Sequence, residues 1–324
     1  MADHAVDDDF DGDIFIYRGG RAPRHIIHAL IGESVDEIED HAFNRCEHLL
    51  MVDTHDGIRR VGAYAFSDCK SLRRMNLKSV VRFDAFAFNE CENLESVEFG
   101  DKLETIAIGT FSQCTSLKHL KLPSIITIGV RAFYECHYLT GVELSERLQT
   151  IREGAFIYCK CLQRIAIPLK RDLFELNDSP KYTHFDSCDQ LTKVDLVGKA
   201  HIKTISSLHM ESWRTEMIAE INRINLVLPT TPADDKTEEI RQWMESVMDK
   251  LDHYKSEHCR YMKEGITLLE LALWKAKLGE KGGYCEEGTT KKAKVDAESA
   301  RKERRITCRA DMVIKNVLPF LQLK

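Results

Sequence analysis

Seven of the eleven cysteines in this 324-residue sequence share one frame: Cys46, Cys69, Cys91, Cys114, Cys136, Cys159 and Cys188. A thiol can serve as a nucleophile, a metal ligand, a redox partner or a small apolar core residue, and spacing separates these uses. Structural zinc sites pair cysteines a few residues apart. Here one thiol occurs every 22 or 23 residues until the last interval of 29, and Cys159-Lys160-Cys161 is an isolated pair, so no metal is expected. Cys136/His137 and His258/Cys259 are sequence neighbours, whose side chains diverge on a strand or a helix, so neither makes a nucleophile and base. The phosphate-loop, dinucleotide, zincin and nucleophile-elbow signatures are absent from the sequence, and the glycine-rich GEKGGY lacks the lysine-hydroxyl ending of a phosphate loop. The expectation is no catalytic residue, no metal and no cofactor.

The frame also holds a phenylalanine three residues before each cysteine, Phe43, Phe66, Phe88, Phe111, Phe133, Phe156 and Phe185. A leucine follows three residues after each, from Leu49 to Leu191, and alternating pairs such as Met75/Leu77 or Leu120/Leu122 come next. A unit of 20 to 29 residues with one short strand cannot bury its own apolar face, so neighbours must stack into a solenoid. Residues 26–206 are assigned to it. The pattern A-F-x-x-C-x-x-L-x-x-V/I/L-x-L/F, a turn such as Leu122-Pro123-Ser124, then Leu103-x-x-Ile106 in its own coil, resembles the BspA-like (treponemal-type) leucine-rich repeat family. That resemblance implies an α/β repeat fold, a leucine-rich-repeat solenoid of about seven to eight coils, and binding of other proteins; it also brings in cell-surface adhesion, a property of bacterial members.

Successive coils differ in the residue between the inward strand positions. The column runs Asp53, Asn76, Glu98, Lys121, Glu143, Ala166, Asp195, so the repeating unit is a pair of coils. Equivalent residues of adjacent parallel strands lie about 4.8 Å apart, where stacked like charges would repel. One reading is rung-to-rung electrostatic matching on a solvated face. The other is a mixed-charge partner surface built from Asp53, Arg73, Arg74, Asn76, Glu98, Lys118, His119, Lys121 and Glu143.

The repeated cysteines, flanked by core phenylalanine and leucine, should point inward. Adjacent coils could hold them at disulfide distance, so compartment decides. Residues 1–17 contain no basic n-region and no long apolar h-region, which predicts no signal peptide, reduced thiols, and a cytoplasmic or nuclear location. No apolar run reaches the length of a membrane span.

Net charge is −6 but unevenly placed: residues 1–40 carry eleven acids, and residues 290–324 carry ten lysines and arginines. Residues 1–25 read as an acidic tail and N-terminal cap, and residues 207–230 as a capping helix with Met210, Trp213, Met217, Ile221, Ile224 and Leu228 on one stripe. Residues 231–324 read as a coiled-coil-like helical hairpin, opened by an Asp235/Glu238 capping box. Its seam runs Ile240, Met244, Val247, Leu251, Tyr254, His258, Tyr261, Gly265, Leu268, Ala272, and its second helix carries a basic patch of Lys291, Lys292, Lys294, Arg301, Lys302, Arg304 and Arg305. ALWKAKL and VIKNVLPFL are similar to tails of BspA-like proteins of diatoms. The expected function is a non-catalytic scaffold that binds a protein partner on the strand-lined face, with self-association through the C-terminal helices. Adhesion or recognition at a cell surface is the first alternative. Nucleic-acid association through the basic helix is the second and less favoured, because that segment lacks interleaved aromatics.

Overall fold

The computed structural model describes residues 10–11, 14–175, 183–208 and 210–279. The chain starts with β1 (Phe10–Asp11) and β2 (Ile14–Tyr17). Each following coil adds a longer and a two-residue strand: β3 (His28–Ile31) and β4 (Glu37–Ile38), β5 (Met51–Asp53) and β6 (Arg60–Val61), β7 (Arg74–Leu77) and β8 (Arg82–Phe83). The series continues with β9 (Ser96–Phe99) and β10 (Thr105–Ile106), β11 (His119–Lys121) and β12 (Thr127–Ile128), β13 (Gly141–Glu143) and β14 (Thr150–Ile151). Then come β15 (Arg164–Pro168), β16 (Lys193–Val197), and the helices α1 (Lys199–Ser206), α2 (Glu211–Val227) and α3 (Lys236–Gly279).

This is a leucine-rich-repeat solenoid followed by helices. The repeat pattern alone predicts one strand per coil, and the molecule has two. The two-residue strands form a continuous parallel ladder in the order β14-β12-β10-β8-β6-β4. The longer strands pair in three runs, β1-β2-β3-β5, β7-β9 and β11-β13-β15-β16. β1 lies antiparallel on β2, so the N-terminal edge of the ladder meets a strand of opposite direction and not another coil.

The core is a stack of rings. Phe43, Phe66, Phe88, Phe111, Phe133, Phe156 and Phe185 are fully buried, with successive centroids 4.9, 5.0, 5.2, 5.6, 5.3 and 5.8 Å apart and nearly parallel planes. From Phe43 to Phe156, the backbone N–H of each donates to the carbonyl one residue before the next phenylalanine, as from Phe43 to Ala65 at 2.7 Å and from Phe111 to Ala132 at 2.8 Å. The turn into each of the first six rings uses the left-handed region, at His41, Tyr64, Phe86, Gly109, Arg131 and Gly154. Gly109 has a second reason for its identity: a Cβ there would lie 2.3 Å from the Phe86 ring.

The described residues fall into two compact units. The first holds residues up to Ile202 together with Glu216–Asp249, and the second holds Lys203–Thr215 with the residues from Lys250 onward. In the first unit, side chains of α2 and α3 take over hydrogen bonds that a further coil would have made. Lys236 Nζ donates to the carbonyls of Cys188, Asp189 and Leu191 at 3.0, 2.8 and 2.8 Å. Thr237 Oγ1 accepts from Phe185 N–H at 3.1 Å, in the role Ala132 plays for Phe111, and Asn225 Oδ1 accepts from Val194 N–H at 2.8 Å. Trp243, fully buried, donates from Nε1 to the Glu220 carbonyl at 3.0 Å.

The sequence expectations for the end of the chain are corrected in three respects. Trp243, and not Trp213, is the tryptophan of the solenoid unit; Trp213 stacks on Tyr254 at 5.1 Å within the second unit. The expected capping box does not form: Glu238 bonds to Arg241 and Gln242, and a short 3-10 turn at Ala233–Asp235 leads into α3. The seam is buried from Ile240 to Tyr254, but Tyr261, Gly265, Leu268 and Ala272 are exposed. The second helix of the expected hairpin lies outside the described residues.

Candidate interaction face

The longer strands present three outward columns, fixed by backbone pairing. The column just before the strands runs Ile27, Leu50, Arg73, Glu95, Lys118, Thr140, Gln163, Thr192. Backbone N–H groups link it rung to rung, from Leu50 to Ile27 at 2.8 Å, Glu95 to Arg73 at 2.9 Å and Thr140 to Lys118 at 2.8 Å. The second column pairs His28 with Met51, Arg74 with Ser96, and His119 with Gly141. The third pairs Leu30 with Asp53, Asn76 with Glu98, Lys121 with Glu143, and Ala166 with Asp195. Thr54 Oγ1 donates to the Asn76 carbonyl at 2.6 Å, joining the rungs of β5 and β7.

All nine candidate face residues are exposed on this surface: Asp53, Arg73, Arg74, Asn76, Glu98, Lys118, His119, Lys121 and Glu143. Their chemistry is local. Asp53 Oδ2 lies 2.8 Å from His28 Nε2, Glu98 Oε2 lies 2.6 Å from Lys78 Nζ, and Lys121 Nζ lies 3.4 Å from Glu143 Oε1. Lys118 Nζ donates to Glu95 Oε2 at 3.2 Å, and His119 Nδ1 lies 3.1 Å from Thr140 Oγ1. Rung-to-rung matching therefore operates along β9 to β13. In Lys78–Glu98 and Lys121–Glu143 both members are largely solvated, where an ion pair contributes about 0 to 1 kcal/mol.

One member of the sequence column departs from the open face. Ala166 is 3% exposed, and the whole of β15 after Arg164 is buried, so the third column closes at β15 while Gln163, Arg164, Thr192 and Lys193 keep the first two columns exposed. At Gly198, where the chain leaves β16, a Cβ would lie 3.1 Å from the Glu146 side chain.

The cysteines are structural. Each repeat thiol is fully buried, and its Sγ donates one coil back, as Cys69 to the Phe43 carbonyl at 3.1 Å, Cys114 to Phe88 at 3.2 Å and Cys159 to Phe133 at 3.2 Å. Burial pushes Cys46 up to about 11 and raises Cys69, Cys91, Cys114 and Cys159 well above the ordinary thiol value. Such thiols stay protonated and are poor nucleophiles. Among the described residues, no cluster of three histidines, cysteines or acids is arranged to hold a metal, and no helix is long and apolar enough to cross a membrane. The basic patch at Lys291, Lys292, Lys294, Arg301, Lys302, Arg304 and Arg305 lies outside the described residues. Sequence reasoning did not single out Lys236, Thr237 and Asn225, because each acts through a tertiary contact that leaves no periodic trace.

The model of the BspA type leucine-rich repeat region matches six copies over residues 25–127 and 81–209. No curated protein matches. Among solved structures, a leucine-rich repeat protein of T. pallidum is 24% identical over 61% of this chain and 88% of its own, with a TM-score of 0.45. One from Bacteroides ovatus is 22% identical over 54% of this chain and 61% of its own, TM-score 0.34. A leucine-rich cell surface protein from Faecalibacterium prausnitzii is 21% identical over 53% and 60%, TM-score 0.27. The chain belongs to the BspA-type leucine-rich repeat family.

Proposed function

We infer that this chain, as a member of the BspA-type leucine-rich repeat family, is a non-catalytic protein-binding module that takes its partner on the open strand face. The observation that carries the reading is the set of outward columns from β3 to β13, solvated and chemically varied, held on a ladder whose inner side is fully packed. A rigid ladder suits this role, because recognition then costs little ordering of the binding surface. A photo-crosslinking amino acid at Asn76 or at Lys121 should capture a partner protein in the native cell, and the same group at Lys102, outside the columns, should not. Adducts from Lys102 alone would end this reading.

A second reading, self-association, is favoured by the far part of α3. Leu268, Leu271, Leu273 and Trp274 stand between 46% and 66% exposed on several sides of the helix. A helix apolar on several sides calls for covering neighbours. Sedimentation of the intact chain should show a monomer-dimer equilibrium that Trp274→Glu shifts to monomer; a monomer at all concentrations removes the reading.

A further inference from the structure

The strand face is not equally neutralised along its length. From β9 onward its charges meet partners nearby, Glu95 with Lys118, Lys121 with Glu143, Arg164 with Asp195. The rungs of β3 and β5 differ. Ile27, Leu30, Leu50 and Met51 keep 41% to 56% of their surface in water although they sit on rigid, hydrogen-bonded backbone. On the next rung Arg73 and Arg74 are exposed, and among the described residues no carboxylate lies within 4.0 Å of either guanidinium. The carboxylates of the two adjoining rungs are already engaged, that of Glu95, next to Arg73 in its column, with Lys118 at 3.2 Å and that of Asp53 with His28 at 2.8 Å.

Each of these features stores a binding free energy of known kind. Apolar surface left in water gains about 25 cal/mol per Å² when covered. Arginine loses less hydration than lysine on burial and offers a planar fork that fits a carboxylate with two parallel bonds. Arginine and methionine are enriched in protein interfaces, whereas lysine and glutamate, which fill the rungs from β9 to β13, are depleted. We propose that β3, β5 and the start of β7 form the docking site for a protein segment that carries apolar anchors followed by carboxylates. The anchors lie over Ile27, Leu30, Leu50 and Met51, and the carboxylates meet Arg73 and Arg74. A nucleic acid also offers anions to arginine, but the four neighbouring side chains are aliphatic and give its bases no ring to stack on. This inference rests on the strand-face reading above and narrows it to one end of the face and one class of partner.

The test is selection of a phage-displayed library of random dodecapeptides on the intact chain. The selected peptides are then synthesised and their affinities measured for the unaltered chain, Arg73→Glu/Arg74→Glu, Met51→Glu and Lys121→Glu, each first shown to melt like the unaltered protein. The expected peptides place Leu, Ile or Phe beside Asp or Glu. Their affinity should fall about tenfold or more with the arginine pair or Met51 changed, and stay within about twofold with Lys121 changed. Peptides that depend on Lys121 and not on Arg73, Arg74 or Met51 overturn the inference and leave the strand-face reading standing. Peptides indifferent to all four substitutions overturn both. A library that yields no binder, with a labelled DNA duplex bound through Arg73 and Arg74, assigns the patch to nucleic acid and overturns the inference as well; no binder of either kind does the same.

Discussion

The Sγ of Cys114 donates a hydrogen bond to the carbonyl oxygen of Phe88, one coil earlier, at 3.2 Å. The same link recurs from Cys136 to Phe111 and from Cys188 to Phe156, at 3.2 and 3.1 Å. That carbonyl already accepts the N–H of its own coil's cysteine, Cys91 at 3.3 Å, so the thiol supplies a second donor to an oxygen closed off from water. A residue in this position must be small, apolar in bulk and able to donate, which describes cysteine. Cys114→Ala should therefore cost about 1 to 2 kcal/mol in denaturant unfolding, from the lost bond and the small void. Cys259→Ala, at an exposed helix position, should cost about 0.5 kcal/mol or less. Equal costs would remove the thiol ladder from the account of stability.

Thiol reactivity tests the same geometry by a different route. Because all seven repeat thiols are closed from solvent, and burial raises those of Cys46, Cys69, Cys91, Cys114 and Cys159, a thiol reagent on the native protein should modify Cys259 quickly and Cys161 more slowly. The seven repeat cysteines should react only after unfolding, without reductant. Mass mapping of the modified peptides reads the outcome; fast native labelling of Cys91 or Cys114 would contradict the buried ladder.

Phe111 and Glu98 separate the two sides of the ladder. Phe111 is fully buried between Phe88 and Phe133, and Phe111→Ala should cost about 3 to 5 kcal/mol, a large part of a domain's total stability. Glu98 faces water, paired with an equally exposed Lys78. Glu98→Gln should shift stability by about 0.5 kcal/mol or less. Chemical denaturation of the two variants beside the unaltered chain decides the point.

The solenoid was legible because Phe, Cys and Leu recur at fixed offsets and each supplies a different part of the coil. Phenylalanine builds the ring stack, cysteine makes the backward hydrogen bond, and leucine fills the strand-side core. The column of Asp53, Asn76, Glu98, Lys121 and Glu143 was legible too, since parallel pairing carries sequence offset directly into space. The second ladder was not, because a strand such as Thr105–Ile106 has one outward and one inward residue and cannot display a period of two. Burial of Ala166 is a tertiary property, which no local pattern encodes. Trp213 and Trp243 both read as apolar positions of a helix. Only packing shows that the second is fully buried in the solenoid unit and donates to Glu220.

His184 makes stability depend on pH. Its ring is fully buried against Phe174, its Nε2–H donates to the Ile151 carbonyl at 3.0 Å, and Nδ1 has no partner among the described residues. Burial lowers it to about 4. The unfolded chain takes up this proton near its ordinary value of 6.5 and the native site only near 4, so between those values the unfolded state binds more protons. Stability should then fall by about 3 kcal/mol as pH drops from 6.5 to 4, and this part of the slope should vanish below that. His184→Phe should flatten the pH dependence of Tm over this window relative to the unaltered protein; parallel curves would show that His184 does not titrate as described.

Lys236 should be the most sensitive polar position of the solenoid's C-terminal end. It is 1% exposed, and burial pulls its ammonium below the ordinary lysine value, yet three carbonyls of the last coil accept from it. In the inner coils the carbonyl just after the cysteine meets the next coil, as the Thr115 carbonyl takes Tyr138 N–H and the His137 carbonyl takes Cys161 N–H, whereas the cysteine carbonyl takes the leucine N–H of its own coil, as Cys188 takes Leu191 N–H at 3.1 Å. The carbonyl of Asp189 occupies the same place in its coil and has Lys236 Nζ instead. Lys236→Ala removes the donor from acceptors that remain buried, and charge-assisted bonds of this kind contribute about 1.5 to 3 kcal/mol each before losses shared among them. The expected loss is about 3 kcal/mol or more, against about 1 kcal/mol for Thr237→Val, which removes a single acceptor from Phe185 N–H. Hydrogen exchange locates the effect. In Lys236→Ala the amides of β16 and of the Phe185 to Leu191 turn should exchange first, while those of β7 and β9 keep their protection. Uniform loss of protection would show one cooperative unit with no separate cap, and unchanged exchange at β16 would show that Lys236 does not hold the last coil.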